Sequence, residues 1–181
     1  METCIALLRG INVAGQKQIR MAELRELAEN LGFGRVRTYI QSGNVLFESG
    51  GMSEEEAAGR LEAAIREGFG YTVKVIARFA SRLEAVIAAN PFREEAEAED
   101  MSLYASFLAR EPSPDAAALL ETYATEAERY RILGDTVYVL VNKGTYGRSQ
   151  FSNNFLEKKL QVEATTRNWQ TVNKLAALAS E

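Results

Sequence analysis

The chain has 181 residues, of which 46% are apolar, and its 21 basic and 25 acidic side chains give a net charge of -4. The apolar fraction is sufficient for the hydrophobic core of one large or two small domains and argues against disorder. The negative net charge argues against a protein whose whole surface binds nucleic acid. No histidine is present, which excludes Ser-His-Asp and Cys-His catalysis and histidine-based zinc sites.

Motifs for cofactors and for targeting are also missing from the sequence. It contains no C-x-x-C pair, Walker lysine motif or G-x-G-x-x-G fingerprint, so we expect neither a metal nor a cofactor. No run of eighteen apolar residues occurs, and Arg9 interrupts the first apolar stretch too early for a secretory signal. We therefore expect a cytoplasmic protein without membrane segments. The single cysteine, Cys4, lies in an apolar run and is expected to be a buried thiol.

The first elements along the chain are a strand, a helix and a hairpin. "TCIALLRG" is a short apolar run that predicts a strand buried on both faces. Apolar residues at helical spacing from Met21 onward predict a helix that Gly32 ends. "VRTYIQSGNVLFES" alternates around Ser42-Gly43 and predicts a β-hairpin.

A second helix and a fourth strand complete the first half. Ser53 stands three residues before Glu56, the spacing of a capping box, and a helical apolar pattern follows. "TVKVIARF" then predicts a strand. The order β-α-β-β-α-β is that of a ferredoxin-like lobe.

A connecting helix and a charged linker separate the halves. Ser81 and Glu84 repeat the capping-box spacing before a short helix that ends near Pro91, and "REEAEAED" predicts a solvated linker. We therefore divide the chain into residues 1–92, the first ferredoxin-like lobe with its connecting helix, and residues 93–181, the second lobe with a C-terminal helix.

The second half predicts the same order of elements. They are a strand in "SLYASFLAR", a helix with Ser113 and Pro114 as N-cap and first residue, a hairpin turning at Gly134-Asp135, a helix over 152–160, a strand in "VEATTRN" and a closing helix capped by Asn168. The predicted fold class is therefore α+β: two tandem ferredoxin-like (βαββαβ) lobes, an internal duplication of topology, packed together through apolar sheet faces, with connecting and C-terminal helices.

The predicted topology brings basic and amide side chains together at one edge of the first lobe. The loop after the first strand and the hairpin between the second and third strands share that edge. This first cluster contains Arg9, Asn12, Lys17, Arg20, Gln41, Ser42 and Asn44. Asn12, Gly15 and Ser42-Gly43 also suit turns, so the alternative interpretation of the cluster is structural.

A second cluster is predicted at the opposite edge of the second lobe. It joins Lys143, Gly144, Tyr146, Arg148 and Ser149 to Thr166, Arg167 and Asn168. In the first lobe three glutamates follow the corresponding loop, whereas "SNNFLEKK" leaves the helix start in the second lobe without a compensating side chain. Such a helix start beside cations predicts an anion site. Alternatively, the glycines serve turns, Ser152 is an ordinary cap and Arg167 pairs with a carboxylate.

Sequence-specific RNA binding is not expected, although βαββαβ lobes include RNA-recognition sheets. Those sheets stack bases on aromatic residues of their first and third strands. The first strand here has no aromatic residue and the third has only Phe47. In the second lobe, Tyr104 and Tyr138 could share one face, and we expect them to serve packing between the lobes rather than base stacking.

Three sequence blocks resemble a bacterial family catalogued as domain of unknown function 1697. They are "IALLRGINVAGQKQIRMAELRELAENLGFGRVRTYIQSGNVLF", "KGTYGRS" and "ATTRNWQTVNKL". The matching motifs include Arg9, Gly10, Asn12, Ser42, Gly43, Asn44, Lys143, Gly144, Tyr146, Arg167, Asn168 and Trp169. The resemblance implies two ferredoxin-like subdomains, and it supplies no catalytic residues because the family has no assigned activity.

Three functional hypotheses remain open. In the leading one, the basic loops bind a small phosphorylated or carboxylated ligand. In the second, Lys143 or Tyr146 is the general acid or base of an enzyme, and Arg148 and Arg167 stabilise developing negative charge. In the third, the polar motifs fix loop geometry in a structural or protein-interaction module. The sequence indicates no particular oligomeric state.

Overall fold

The computed structural model shows a mixed α+β protein with two four-stranded antiparallel sheets and six α-helices among its described elements. It describes the backbone of residues 1–181 and every side chain except that of Tyr146. The chain divides into two compact units, one of Met1–Glu84 with Lys174–Glu181 and one of Ala85–Asn173. The division at residues 92 and 93 stays a prediction.

The first unit contains a sheet with the strand order β2-β3-β1-β4. Its elements are β1 (Thr3–Leu8), α1 (Met21–Asn30), β2 (Gly34–Tyr39), β3 (Asn44–Glu48), α2 (Glu54–Phe69) and β4 (Val75–Phe79), and α3 (Ala80–Ala88) follows. Alternate residues of β1, namely Cys4, Ala6 and Leu8, join one apolar core with α1 and α2. The residues between them are buried too, so the prediction of a strand buried on both faces is confirmed.

The second unit contains a sheet with the order β6-β7-β5-β8. Its elements are β5 (Met101–Leu108), α4 (Pro114–Glu121), β6 (Glu128–Leu133), β7 (Thr136–Asn142), α5 (Asn153–Leu160) and β8 (Ala164–Asn168), with short 3-10 helices at Glu95–Glu97 and Lys143–Arg148. The last helix, α6 (Trp169–Ala179), begins in this unit, and its residues from Lys174 onward belong to the first unit. One apolar cluster includes Val139 and Leu156, and another includes Phe92 and Leu140. The predicted order of elements therefore appears in both halves.

Helix starts show how well local sequence determines boundaries. Ser53 and Glu56 form the predicted reciprocal capping box of α2, and Ser113 caps α4 ahead of Pro114. The predicted cap at Ser81 is wrong, because α3 begins at Ala80 and the Ser81 amide donates to the Glu2 carboxylate. The capping-box spacing did not account for a partner so distant in sequence.

No helix in the described chain combines the length and apolar character that crossing a membrane requires.

Gly43 closes the hairpin between β2 and β3 under both conformational and steric constraint. Its φ is +89°, and an added Cβ would lie 2.7 Å from Ile11 Cδ1 and 2.9 Å from Leu8 Cβ. Gly51 has a φ of +93° but nothing within 4 Å. The comparison of these two positions therefore separates steric overlap from backbone strain.

We expect Gly43→Ala to destabilise the protein more than Gly51→Ala. The free energy of unfolding of the Gly51 variant should fall by about 1–2 kcal/mol, because alanine is strained in the left-handed conformation. That of the Gly43 variant should fall by about 1–3 kcal/mol more because of overpacking. Urea denaturation measures both values. Equal losses would show that the space around Gly43 does not constrain the hairpin.

The buried thiol of Cys4 should make stability depend on alkaline pH. Burial raises its pKa to about 12, compared with about 8.5 for an exposed thiol. Between these values the unfolded chain releases the thiol proton and the native chain keeps it, so rising pH favours unfolding. We expect Cys4→Ala to reduce the alkaline slope of the unfolding free energy by about 1.4 kcal/mol per pH unit. Unchanged slopes from urea titrations at pH 7 to 10 would contradict this.

Candidate functional site

The start of β5 lies between the ends of two other strands. In the antiparallel registers, Met101 is opposite Asn142 of β7, and Tyr104 is opposite Asn168 of β8. Lys143 follows Asn142, and Trp169 follows Asn168. The pairing therefore brings the segments after β7 and β8 to one edge of the sheet, as the topology predicted for Lys143 and Asn168.

A cavity of about 350 Å³ opens at this edge. This volume lies at the lower end of the range found for small-molecule sites. The residues that line it belong to the 3-10 helix Glu95–Glu97, to β5, to the segment after β7 and to the junction of β8 with α6. They are Ala96, Met101, Ser102, Leu103, Tyr104, Lys143, Asn168, Trp169 and Gln170.

Lys143 is the one charged side chain among the described residues of this lining. Its amide donates to the Asp100 carbonyl at 2.7 Å, and its Nζ donates to the Glu99 carbonyl at 2.9 Å. The acceptor of Nζ is a neutral carbonyl oxygen, and Lys143 forms no ion pair among the described residues, so its ammonium charge is not neutralised. An ammonium has three N–H donors, so two can still reach a ligand.

Asn168 and Trp169 also line the cavity. Oδ1 of Asn168 accepts the Thr171 amide at 2.8 Å, which confirms the predicted cap of α6. This bond uses the side-chain oxygen, so the side-chain NH₂ can donate to other partners. The half-buried Trp169 ring lies 6.2 Å from the Tyr138 ring between centroids. The lining of the cavity therefore includes a lysine, an asparagine and a tryptophan.

The remaining loop residues of the second cluster lie outside this lining as far as the structure describes it. The Gly144 amide donates to Asn142 Oδ1, and Ser149 Oγ accepts the Phe151 amide, so both stabilise the turn. Arg148 is exposed. Tyr146 was also predicted to belong to the second cluster, and its side chain lies outside the described part of the structure.

Arg167 has a different environment from Lys143. It is only 6% exposed, and one of its guanidinium nitrogens donates to Thr165 Oγ1 and to the Thr166 carbonyl, each at 2.9 Å. Burial lowers the pKa of Arg167 to about 10. Arg167 is not among the described lining residues of the cavity, so the predicted cluster divides into a cavity residue and a buried arginine.

The predicted uncompensated start of the helix after Lys143 is wrong. Ser152 Oγ accepts the Phe155 amide at 3.0 Å and caps α5. Just before it, the buried carboxylate of Glu128 accepts the Gln150 amide at 2.9 Å, as well as the Tyr130 hydroxyl. The role of Glu128 could not be predicted from local sequence because that residue lies on β6, more than twenty positions away. The alternative interpretation of Ser152 as an ordinary cap is confirmed.

The first cluster is organised around Asn12. Its Oδ1 accepts the Ile19 amide at 2.8 Å, and its Nδ2 donates to the carbonyls of Ile19 at 3.0 Å and Gln41 at 2.8 Å. The side chain thus closes the loop between β1 and α1 and ties it to the β2–β3 hairpin. A φ of +55° at Asn12 is one that asparagine tolerates better than most residues.

The other members of the first cluster also make backbone contacts. Lys17 Nζ donates to the Thr72 carbonyl at 2.7 Å, and the Arg9 amide donates to the Lys74 carbonyl at 2.9 Å. The buried Asn44 donates to the Tyr39 carbonyl and to Ser42 Oγ. The loops predicted to share this edge therefore meet there, while ligand binding by these residues stays a prediction.

No group of three or more Cys, Asp or Glu side chains in the described structure could hold a metal ion. Among titratable groups, burial raises the pKa of Tyr138 to about 12, and burial together with the Glu128 carboxylate raises that of Tyr130 further. Neither shift prepares a tyrosine to act as a base near neutral pH.

Comparison with known proteins identifies relatives but no activity. The family described as "Protein of unknown function (DUF1697)" matches residues 1–138, so the blocks at 143–149 and 164–175 lie beyond the match. A conserved bacterial protein from Streptococcus pneumoniae has a similar structure, with a TM-score of 0.75 and 23% identity over 98% of both chains. None of the curated proteins compared with this sequence matches it.

We expect Asn12→Ala to lower stability by about 2–3 kcal/mol, because three hydrogen bonds are lost at about 1 kcal/mol each. At this chain length the melting temperature should fall by about 5–10 °C. Asn12→Gly removes the same hydrogen bonds but tolerates the positive φ, so it should still show most of this loss of stability. Gln16→Ala, at an exposed position of the same loop, should stay within about 0.5 kcal/mol. If Asn12→Ala left the melting temperature unchanged, Asn12 would not have the structural role described here.

Proposed function

The chain belongs to the DUF1697 family, and we propose that its second unit binds a small anionic ligand, phosphorylated or carboxylated, that also carries a planar apolar group. One observation carries the proposal. Lys143, the one charged residue of the described lining, and Trp169 border the same cavity of about 350 Å³. The ligand would bind there and would not require the first cluster.

The charge of the ligand follows from the polar groups at the cavity. Lys143 has two N–H donors beyond the Glu99 contact, and charge-assisted hydrogen bonds to carboxylate or phosphate are stronger than neutral ones. The amide groups of Asn168 and Gln170 add donors from the beginning of α6. A cationic ligand would meet the uncompensated ammonium, so these groups favour an anion.

The planar part of the ligand follows from the apolar side of the cavity. Trp169 provides an aromatic surface, and Met101 and Leu103 provide aliphatic contacts. Aromatic groups pack on such a ring at centroid separations of roughly 4.5–7 Å. The cavity volume limits the ligand to small molecules such as aromatic carboxylates or mononucleotides, and not to a polymer.

The catalytic alternative has less support from the geometry. It required Lys143 or Tyr146 beside Arg148 and Arg167, but Arg167 bonds to Thr165 and Thr166, and Arg148 is not among the described lining residues. A ligand held by Lys143 would therefore lack the two arginines assigned to charge stabilisation. We accordingly propose binding rather than turnover, in the cytoplasmic location that the sequence predicts.

We also propose that the two units are ferredoxin-like lobes derived from an internal duplication. Both sheets have equivalent strand orders. Arg78 and Arg167 are each the fourth residue of the last strand, each is 6% exposed, and each donates to the carbonyl of the preceding residue at 2.9 Å. A shared buried arginine at one topological position supports common descent more than topology alone.

The single tryptophan of the chain, Trp169, gives a direct test of the binding proposal. We expect benzoate and adenosine 5′-monophosphate to change its emission with a saturable concentration dependence. The neutral partners benzamide and adenosine should bind at least about tenfold more weakly, because they lose a charge-assisted hydrogen bond to Lys143.

Lys143→Gln should weaken binding of both anions by about tenfold or more. Lys158→Gln, which removes an exposed lysine of the same unit, is the matched control and should stay within about twofold. The proposal fails if none of the four compounds changes the emission, or if the two variants behave alike.

A further inference from the structure

A second cavity, of about 540 Å³, lies in the first unit and is independent of the proposed site in the second. It is bordered by the loop between β1 and α1, the β2–β3 hairpin and Tyr71 near the end of α2. Its volume is within the range of small-molecule sites.

The walls of this cavity are held in place by contacts between three loops. Asn12 bonds to both Ile19 and Gln41, and Lys17 Nζ bonds to the Thr72 carbonyl beside Tyr71. These contacts fix the loops before any ligand arrives. A site formed in advance loses less conformational entropy when it binds.

Two residues of opposite charge at the start of α1 line the cavity. Arg20 is the N-cap residue of α1 and has an extended backbone, while Glu23 lies in the first helical turn, and both residues line the cavity. In the described structure neither side chain forms an ion pair or a hydrogen bond. On the same helix, by contrast, Arg25 and Glu29 pair at 3.0 Å. Arg20 and Glu23 therefore both remain accessible to a ligand.

We propose that this cavity binds a zwitterionic small molecule of the class of free α-amino acids. The guanidinium of Arg20 matches a carboxylate in a two-pronged geometry, and the Glu23 carboxylate accepts from an ammonium. Gln18, Gln41 and Tyr71 add polar groups for the rest of the molecule. A simple anion would be repelled by Glu23 and a simple cation by Arg20, so a ligand with both charges satisfies the site best.

The experiment titrates the ¹⁵N-labelled full-length protein with L-glutamine and follows its amide resonances by NMR. Two analogues each remove one charge: N-acetyl-L-glutamine lacks the ammonium, and L-glutaminamide lacks the carboxylate. We expect saturable shifts in residues 12–23 and 41 with L-glutamine, and at least tenfold weaker binding of each analogue.

Variants test the two charges from the side of the protein. Arg20→Gln and Glu23→Gln should each weaken L-glutamine binding at least tenfold, while Glu26→Gln, an exposed change on the same helix, should leave it within twofold. Absence of shifts at residues 12–23 and 41 would overturn the proposal. Equal binding of L-glutamine and both analogues, or equal binding by all three variants, would overturn it as well. Lys143 is not involved, so failure here is distinct from failure of the site in the second unit.

Discussion

The antiparallel pairing of β5 with both β7 and β8 is the constraint on which the site in the second unit depends. Because β5 lies between these strands, its start must face both of their ends, and the registers of Met101 with Asn142 and of Tyr104 with Asn168 fix the edge. Lys143 and Trp169, which are 26 positions apart in the sequence, thereby border one cavity. A one-residue shift of β8 would turn its side chains to the opposite face and would separate the ammonium from the aromatic surface.

Polar side chains at the two predicted clusters serve two different purposes. Asn12 and Asn44 replace missing backbone partners in loops, and Arg167 is buried among hydrogen bonds of its own strand. Burying such groups costs free energy unless they are hydrogen-bonded, so they favour the loop conformations in which these bonds form. Lys143 is also anchored, through Glu99, but it lines a cavity and its ammonium has two further N–H donors. Local basic composition therefore does not identify a ligand site until the geometry shows which cations remain accessible.

The sequence predicted the order of elements and most helix starts because periodicity and capping are local properties. Ser53, Ser113 and Asn168 act as caps where they were expected. It also predicted the meeting of Lys143 with Asn168, since topology converts sequence separation into position. It could not predict Glu2 bonding to Ser81, or Glu128 bonding to Gln150, because each depends on packing between distant segments. For the same reason it placed Arg167 in the cluster, although the strand directs that side chain into a buried environment.

The most direct test of binding in the second unit is a crystal structure of the protein with saturating adenosine 5′-monophosphate. We expect a phosphate oxygen within about 3 Å of Lys143 Nζ and the adenine packed on the Trp169 ring. This expectation would be contradicted by a nucleotide ordered only at another surface. It would equally be contradicted by a cavity that holds solvent alone while Lys143 contacts only the carbonyl of Glu99.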